Sequence, residues 1–192
     1  MILMIDTDQW LQGNKGCVSV RWSVYGVSVC VVNSHLAAHT QHNQARLDSY
    51  NNILGSHTFS NHDTEMILYH DYVFWLGDLN FRLEIDPQDM TSQDIINHVS
   101  QQQYGKLLAF DQLATARSNG AAFSELNETL PSFPPSYKYK IGSSEYDDKR
   151  APAWTDRILH RANLANYDNY QLELRQHEYT ALSEFTQVNT DK

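Results

Sequence analysis

The sequence predicts an α/β fold built in layers, with polar strand ends gathered at one edge of a sheet. Three observations predict it. Two runs rich in β-branched residues, 17–25 (CVSVRWSVY) and 27–35 (VSVCVVNSH), meet at Gly26 as the arms of a hairpin do. A nearly unbroken apolar run, 66–76 (MILYHDYVFWL), stops at Gly77-Asp78, the pattern of a buried central strand. Between such runs lie segments with helical spacing and helix-start chemistry.

Taken in order, the opening stretch Met1-Ile2-Leu3-Met4-Ile5 is broken by Asp6 and has no basic lead-in, so it is no secretory signal and reads as domain interior. After the hairpin, Ala45, Leu47, Tyr50, Ile53 and Leu54 predict a modestly amphipathic helix over 41–54, closed by Gly55. Residues 56–65 are loop by composition. Their histidines His57 and His62, with His70, lack the compact spacing of a structural zinc site and read as solvated. Thr91 and Asp94 form an approximate capping box for a helix through about Gln102, with Ile95, Ile96 and Val99 inward. A second helix follows over about 104–117. Three prolines in 131–136 (PSFPPS) exclude regular structure there. Residues 153–160 (AWTDRILH) are strand-like, and 170–174 (YQLEL) alternate as a half-exposed strand should.

The 192 residues suit one domain or most of a larger one, and 41% hydrophobic content is ample for a packed core. No apolar run approaches the roughly 18–20 residues needed to cross a bilayer. Cys17 and Cys30 fall in different arms of the hairpin and out of register, which predicts two buried thiols in a cytoplasmic protein. The net charge is −9, yet Lys138, Lys140, Lys149, Arg150, Arg157 and Arg161 crowd one short stretch. Such a cluster suits capture of a small phosphorylated ligand, and equally a solvated basic loop. A nucleic-acid backbone favours a wider basic surface, so no nucleic-acid partner is expected.

Polar groups interrupt three apolar strand ends: Asn33-Ser34-His35, Asp78-Leu79-Asn80 and Thr155-Asp156-Arg157. Each needs a partner, a metal or solvent if it is not to be buried at a cost. Together they suit hydrolysis by water. Asp78 would accept the water's proton, Asn80 would orient it, and His35 would donate to a phosphoryl oxygen. Asp156 would hold the polar network, and Arg150 and Lys138 would grip phosphate groups. No Cys-x5-Arg loop and no Gly-x4-Gly-Lys-Ser/Thr run is present, which argues against a thiolate phosphatase and a P-loop enzyme and leaves metal-assisted hydrolysis.

Residues 74–83 (FWLGDLNFRL) and 150–159 (RAPAWTDRIL) resemble the two signature motifs of the inositol polyphosphate 5-phosphatases. GNKG at 13–16, NSHLAAH at 33–39 and FPPSYKY at 133–139 extend the resemblance, which is greatest to the skeletal-muscle-and-kidney-enriched type. It implies a DNase I-like two-sheet α/β sandwich and Mg²⁺-dependent removal of the 5-phosphate from phosphoinositides or soluble inositol phosphates. By position it gives His35, Asp78, Asn80 and Asp156 catalytic roles. It places Tyr137, Lys138 and Arg150 at the 4-phosphate, with Lys149 and Arg157 as further substrate contacts.

The resemblance also has departures. Residues 1–192 read as part of the catalytic domain, without its first strands. The metal-side Asn and the Mg²⁺-binding Glu of the family are expected upstream. At the end of the chain Asn189-Thr190-Asp191-Lys192 places Lys192 where the family has a catalytic histidine. Asp148 stands where many relatives have a lysine, and Lys149 is the candidate substitute. An inactive relative that binds phosphoinositides or protein partners is the alternative, and a superfamily nuclease is a weaker one. Access to lipid would come through transient contact with a membrane surface.

Overall fold

The computed structural model describes residues 15–60, 65–163 and 171–182, together with the backbone of 2–6. Its centre is a five-stranded sheet in the order β1-β2-β3-β4-β5, formed by Ile2–Asp6, Gly16–Val24, Val27–His35, Tyr72–Asp78 and Asp156–Ala162. Only β3 and β4 run parallel. Parallel neighbours need a crossover, and helix α1 (Asn43–Ser56) supplies it. The β2–β3 hairpin closes at Tyr25-Gly26, with φ of 51° and 85°. Positive φ at both central residues matches the twist of the strands, and Gly26 adopts it freely.

The two faces of the sheet differ. Ser19, Val32, Trp75 and Leu159 lie in one register row on the inner face and are buried beneath Tyr50, Ile53 and Phe123. Tyr50 stacks on Phe123 at 4.0 Å between ring centroids. A second cluster joins α2 (Ser92–Ser100) and α3 (Tyr104–Leu108) to Leu83, Phe133 and Trp154. The outer face also carries apolar residues, but Val18, Trp22, Val24 and Ile158 remain exposed on it.

The hairpin, the crossover helix and the Thr91–Asp94 capping box stand where the sequence predicts them. Several boundaries differ. Gly55 lies inside α1, which ends at Ser56 through an extended His57. The helix buries Arg46 and Ser49 beside Tyr50 and Ile53. The run 66–76 divides: residues 67–69 form a 3₁₀ turn, and β4 starts only at Tyr72 and is buried on one face. Buried His70 and Asp71 cause the break, His70 bonding the carbonyls of Met66 and Ile67 and Asp71 accepting from Ser28. The segment 104–117 divides into α3 and α4 (Gln112–Ser118), because Asp111 caps α4 by accepting from the Ala114 N–H. β5 begins at Asp156, and Ala153 makes only an isolated bridge to Tyr137.

Residues 171–174 form no ladder. They run extended, and Tyr72 donates to the Glu173 carbonyl. His57 and His70 are fully buried rather than solvated. β1 takes the sheet edge beyond β2. His62, Tyr170 and the run Asn189-Thr190-Asp191-Lys192 lie outside the described residues.

Candidate active site

The strand register brings the polar strand ends together. His35 pairs with Asp78, and Asp78 pairs with Asp156, so three site residues form one row across β3, β4 and β5 on the outer face. His35 Nε2 lies 3.4 Å from Asp78 Oδ2. Close approach of the strands here depends on Gly77. Its φ is +129°, and a Cβ on it would meet the Ser34 carbonyl oxygen at 2.1 Å.

Asp78 has its pKa pushed up to about 7, first by burial and then by the charge of Asp156. Arg82, the Asn80 N–H and Lys15 act in the opposite direction. The side chain keeps 37% of its surface, so water still reaches it. Lys15, buried, sets its Nζ 2.8 Å from His35 Nε2, so the ammonium donates to the ring. Asp156 accepts from the hydroxyls of Ser136 at 2.7 Å and Thr155 at 3.1 Å.

Asn80 takes a left-handed conformation (φ 57°) just beyond the strand end. Its Nδ2 donates to the Leu36 carbonyl at 3.0 Å, and its N–H donates to Asp78 Oδ1 at 3.2 Å. Arg82 donates to both the carbonyl and the Oδ1 of Asn80. The Arg82 guanidinium also lies 4.0 Å from the centre of the Tyr137 ring. Tyr137 is buried, and its hydroxyl accepts from Arg150 Nη1 at 2.6 Å. Lys138 Nζ lies 5.8 Å from the same ring, and Lys149 is exposed on the adjoining turn. A pocket of about 280 Å³ opens beside the row, lined by Leu76, Asp78, Phe133, Ser136, Asp156 and Tyr179 among others.

Arg157 requires a correction. The sequence groups it with the substrate contacts, but its side chain is fully buried on the inner face. Its Nη1 bonds Asp111 at 3.0 Å, and its Nε bonds Glu128 at 2.6 Å. The two carboxylates hold the guanidinium protonated against the effect of burial, and it ties β5 to α4.

Lys15, Arg82 and Ser136 join the site without a role assigned to them from the sequence. Lys15 stands in GNKG, Arg82 in FWLGDLNFRL and Ser136 in FPPSYKY, and membership of these motifs is the signal that marks them. For divalent metal the described residues supply Asp78 and Asp156. Among those residues no group of three His, Cys, Asp or Glu side chains is placed to hold an ion. They do not by themselves make up a metal site.

Comparison with known proteins places this geometry among relatives. The family model described as endonuclease/exonuclease/phosphatase family 2 matches residues 8–190. Rat synaptojanin-2 is 39% identical over 165 residues, which are 84% of this chain and 11% of that protein. Mouse inositol polyphosphate 5-phosphatase K is 41% identical over 152 residues, 78% of this chain and 32% of that one. The crystal structure of the inositol polyphosphate 5-phosphatase domain of SPsynaptojanin, in complex with inositol (1,4)-bisphosphate and calcium ion, superposes with a TM-score of 0.72 at 37% identity. That match covers 79% of this chain and 44% of the solved one, so the chain spans less than half of each of these proteins.

Proposed function

The chain belongs to endonuclease/exonuclease/phosphatase family 2, in its inositol polyphosphate 5-phosphatase group, and from that membership we propose that it serves hydrolysis of the 5-phosphate of phosphoinositides, such as phosphatidylinositol 4,5-bisphosphate, or of soluble inositol polyphosphates. The observation that carries the reading is the row His35–Asp78–Asp156 at the sheet edge, with Asp78 poised near neutral pH. A general base works best when its pKa lies near the working pH. Asp78 takes the proton of the attacking water. Asn80, held by Arg82 and the Leu36 carbonyl, orients that water. His35 and Lys15 bring donors and positive charge to the phosphoryl oxygens as negative charge grows there. Asp156, fixed by Ser136 and Thr155, keeps the row in place.

Recognition falls to the 137–150 arm. Arg150 grips a neighbouring phosphate by paired donors, and Lys138 and Lys149 act as point charges. Mg²⁺ is the proposed cofactor, and when bound it would offset charge on the phosphate. No helix among the described residues is long and apolar enough to cross a membrane. Ile141, 85% exposed between Lys138 and Lys149, supports transient contact of this arm with a lipid surface. Cytoplasmic location is proposed on the same footing.

The test is phosphate release from inositol 1,4,5-trisphosphate with Mg²⁺ by this chain, beside Asp78→Asn. Turnover that disappears in the variant supports the reading. The lack of a third ligating side chain among the described residues favours a second reading, binding without turnover. Calorimetric binding of the trisphosphate by a folded but inactive chain would select it.

A further inference from the structure

Arg82 is nearly buried, yet it does not meet substrate in the scheme above. Its contacts point in two directions. Nε and Nη2 hold the carbonyl and side-chain oxygen of Asn80. The flat of the same guanidinium lies against the Tyr137 ring at 4.0 Å. Beyond the ring, the Tyr137 hydroxyl accepts from Arg150 at 2.6 Å. The Tyr137 backbone is paired in both directions with Ala153, three residues before Asp156.

We propose that Arg82 is a positioning residue that couples the phosphate-recognising arm, Tyr137 and Arg150, to the amide of Asn80. The proposal rests on the reading of the site as a phosphatase. Asn80 has two polar ends, and each is fixed. Nδ2 is bonded to the Leu36 carbonyl and Oδ1 to Arg82, so the amide cannot flip without losing both. A guanidinium can do this because its donors lie in one plane while its face stays free to stack. Lysine has no such plane. A phosphate that draws on Arg150 changes the Tyr137 hydroxyl bond, and the ring passes the change to the group that sets the angle of Asn80. Recognition of a second phosphate would thereby tighten the geometry of the attacking water.

The test reads Asn80 directly. The side-chain amide resonances of Asn80 are identified in the ¹⁵N-labelled protein by their loss in Asn80→Asp. Arg150→Met, at an exposed position, is expected to shift them, and the shift is expected to vanish in the Arg82→Lys background. In turnover of inositol 1,4,5-trisphosphate, Arg82→Lys is expected to lower kcat about tenfold with a smaller change in KM, the mark of an interaction that matters in the transition state. Tyr137→Phe guards against misfolding of the lysine variant. It keeps the ring and removes the acceptor, and after it Arg150→Met is expected to leave Asn80 unmoved. Asn80 resonances indifferent to Arg150→Met, or equally responsive without Arg82, would overturn the coupling. A responsive Asn80 in a protein that neither binds nor hydrolyses the trisphosphate would support the coupling and sink the phosphatase reading instead.

Discussion

At Asp78 a carboxylate has lost part of its hydration and faces Asp156 across the register, and both effects favour its protonated form. Its unfolded value is near 3.8, and its folded value is about 7. The stabilising effect of the retained proton is full below the lower value and is lost as pH rises through the upper one. Removing the charge should therefore help the fold most above pH 7. Asp78→Asn is expected to raise Tm at pH 8 and by less than half as much at pH 5, in both cases by a few degrees at most because water screens the half-open site. In an active enzyme the same variant should lose about 100-fold or more in kcat. Melting curves and rates at the two pH values check both. His57 and His70 act in the opposite sense. Burial lowers both pKa values below 6.5, so the fold prefers them neutral and stability should fall as pH drops below that value. His57→Phe, measured by Tm between pH 7 and 5, is expected to flatten this slope. Asp78, Asn80 and His35 were legible because polar letters ended apolar runs. The burial of His57 was not, because its partner Ser19 lies 38 residues away in sequence, 2.6 Å away in the fold.

Arg157 shows how an element can be read correctly while one of its residues is not. The strand was legible as the strand-like run 153–160, and the motif put a cation near the start of β5. Which face the cation takes is a matter of register. Gly77 pairs with Arg157, so the side chain shares the inner face with Trp75 and Leu159. There it meets Asp111 and Glu128, and Glu128 also pairs with Arg117 at 3.7 Å; the Glu128 pKa is raised even so. Arg157→Met would take the shared cation from two buried carboxylates, leaving Glu128 only Arg117 at 3.7 Å among the described residues, and breaking such a cluster costs roughly 3–5 kcal/mol. The expected result is a large drop in denaturation midpoint, whereas a substrate contact would instead raise KM with stability unchanged. Gly77 is decisive for β3 and β4 in a different way. Gly77→Ala forces a Cβ into the Ser34 carbonyl and a side chain into a conformation that favours glycine. We expect a loss above about 2 kcal/mol in chemical denaturation, with little soluble protein in the harsher case. The split of 104–117 at Asp111 has the same origin, since the Asp111 side chain serves both the α4 cap and Arg157.

Across the whole molecule the His35–Asp78–Asp156 row and the exposed apolar face are one surface. His35, Asp78 and Asp156 lie at the edge of the face that carries Val18, Trp22, Val24 and Ile158. Trp22 keeps 43% of its surface and Val24 keeps 50%. The sequence resemblance implied a two-sheet sandwich without its first strands. It did not foretell that residues 171–182 run along this side, where the Tyr179 hydroxyl takes the Ile158 N–H at 3.2 Å. A contiguous apolar face of this kind drives association when nothing covers it. The isolated chain is therefore expected to bind a hydrophobic dye and to show mass rising with concentration in sedimentation. Trp22→Lys together with Val24→Lys should reduce both, because lysines on a sheet surface oppose face and edge pairing. Their side chains point away from the inner core, so the cooperative melt should survive the change. Sedimentation as a monomer at all concentrations in the unaltered chain would mean that this face is already satisfied.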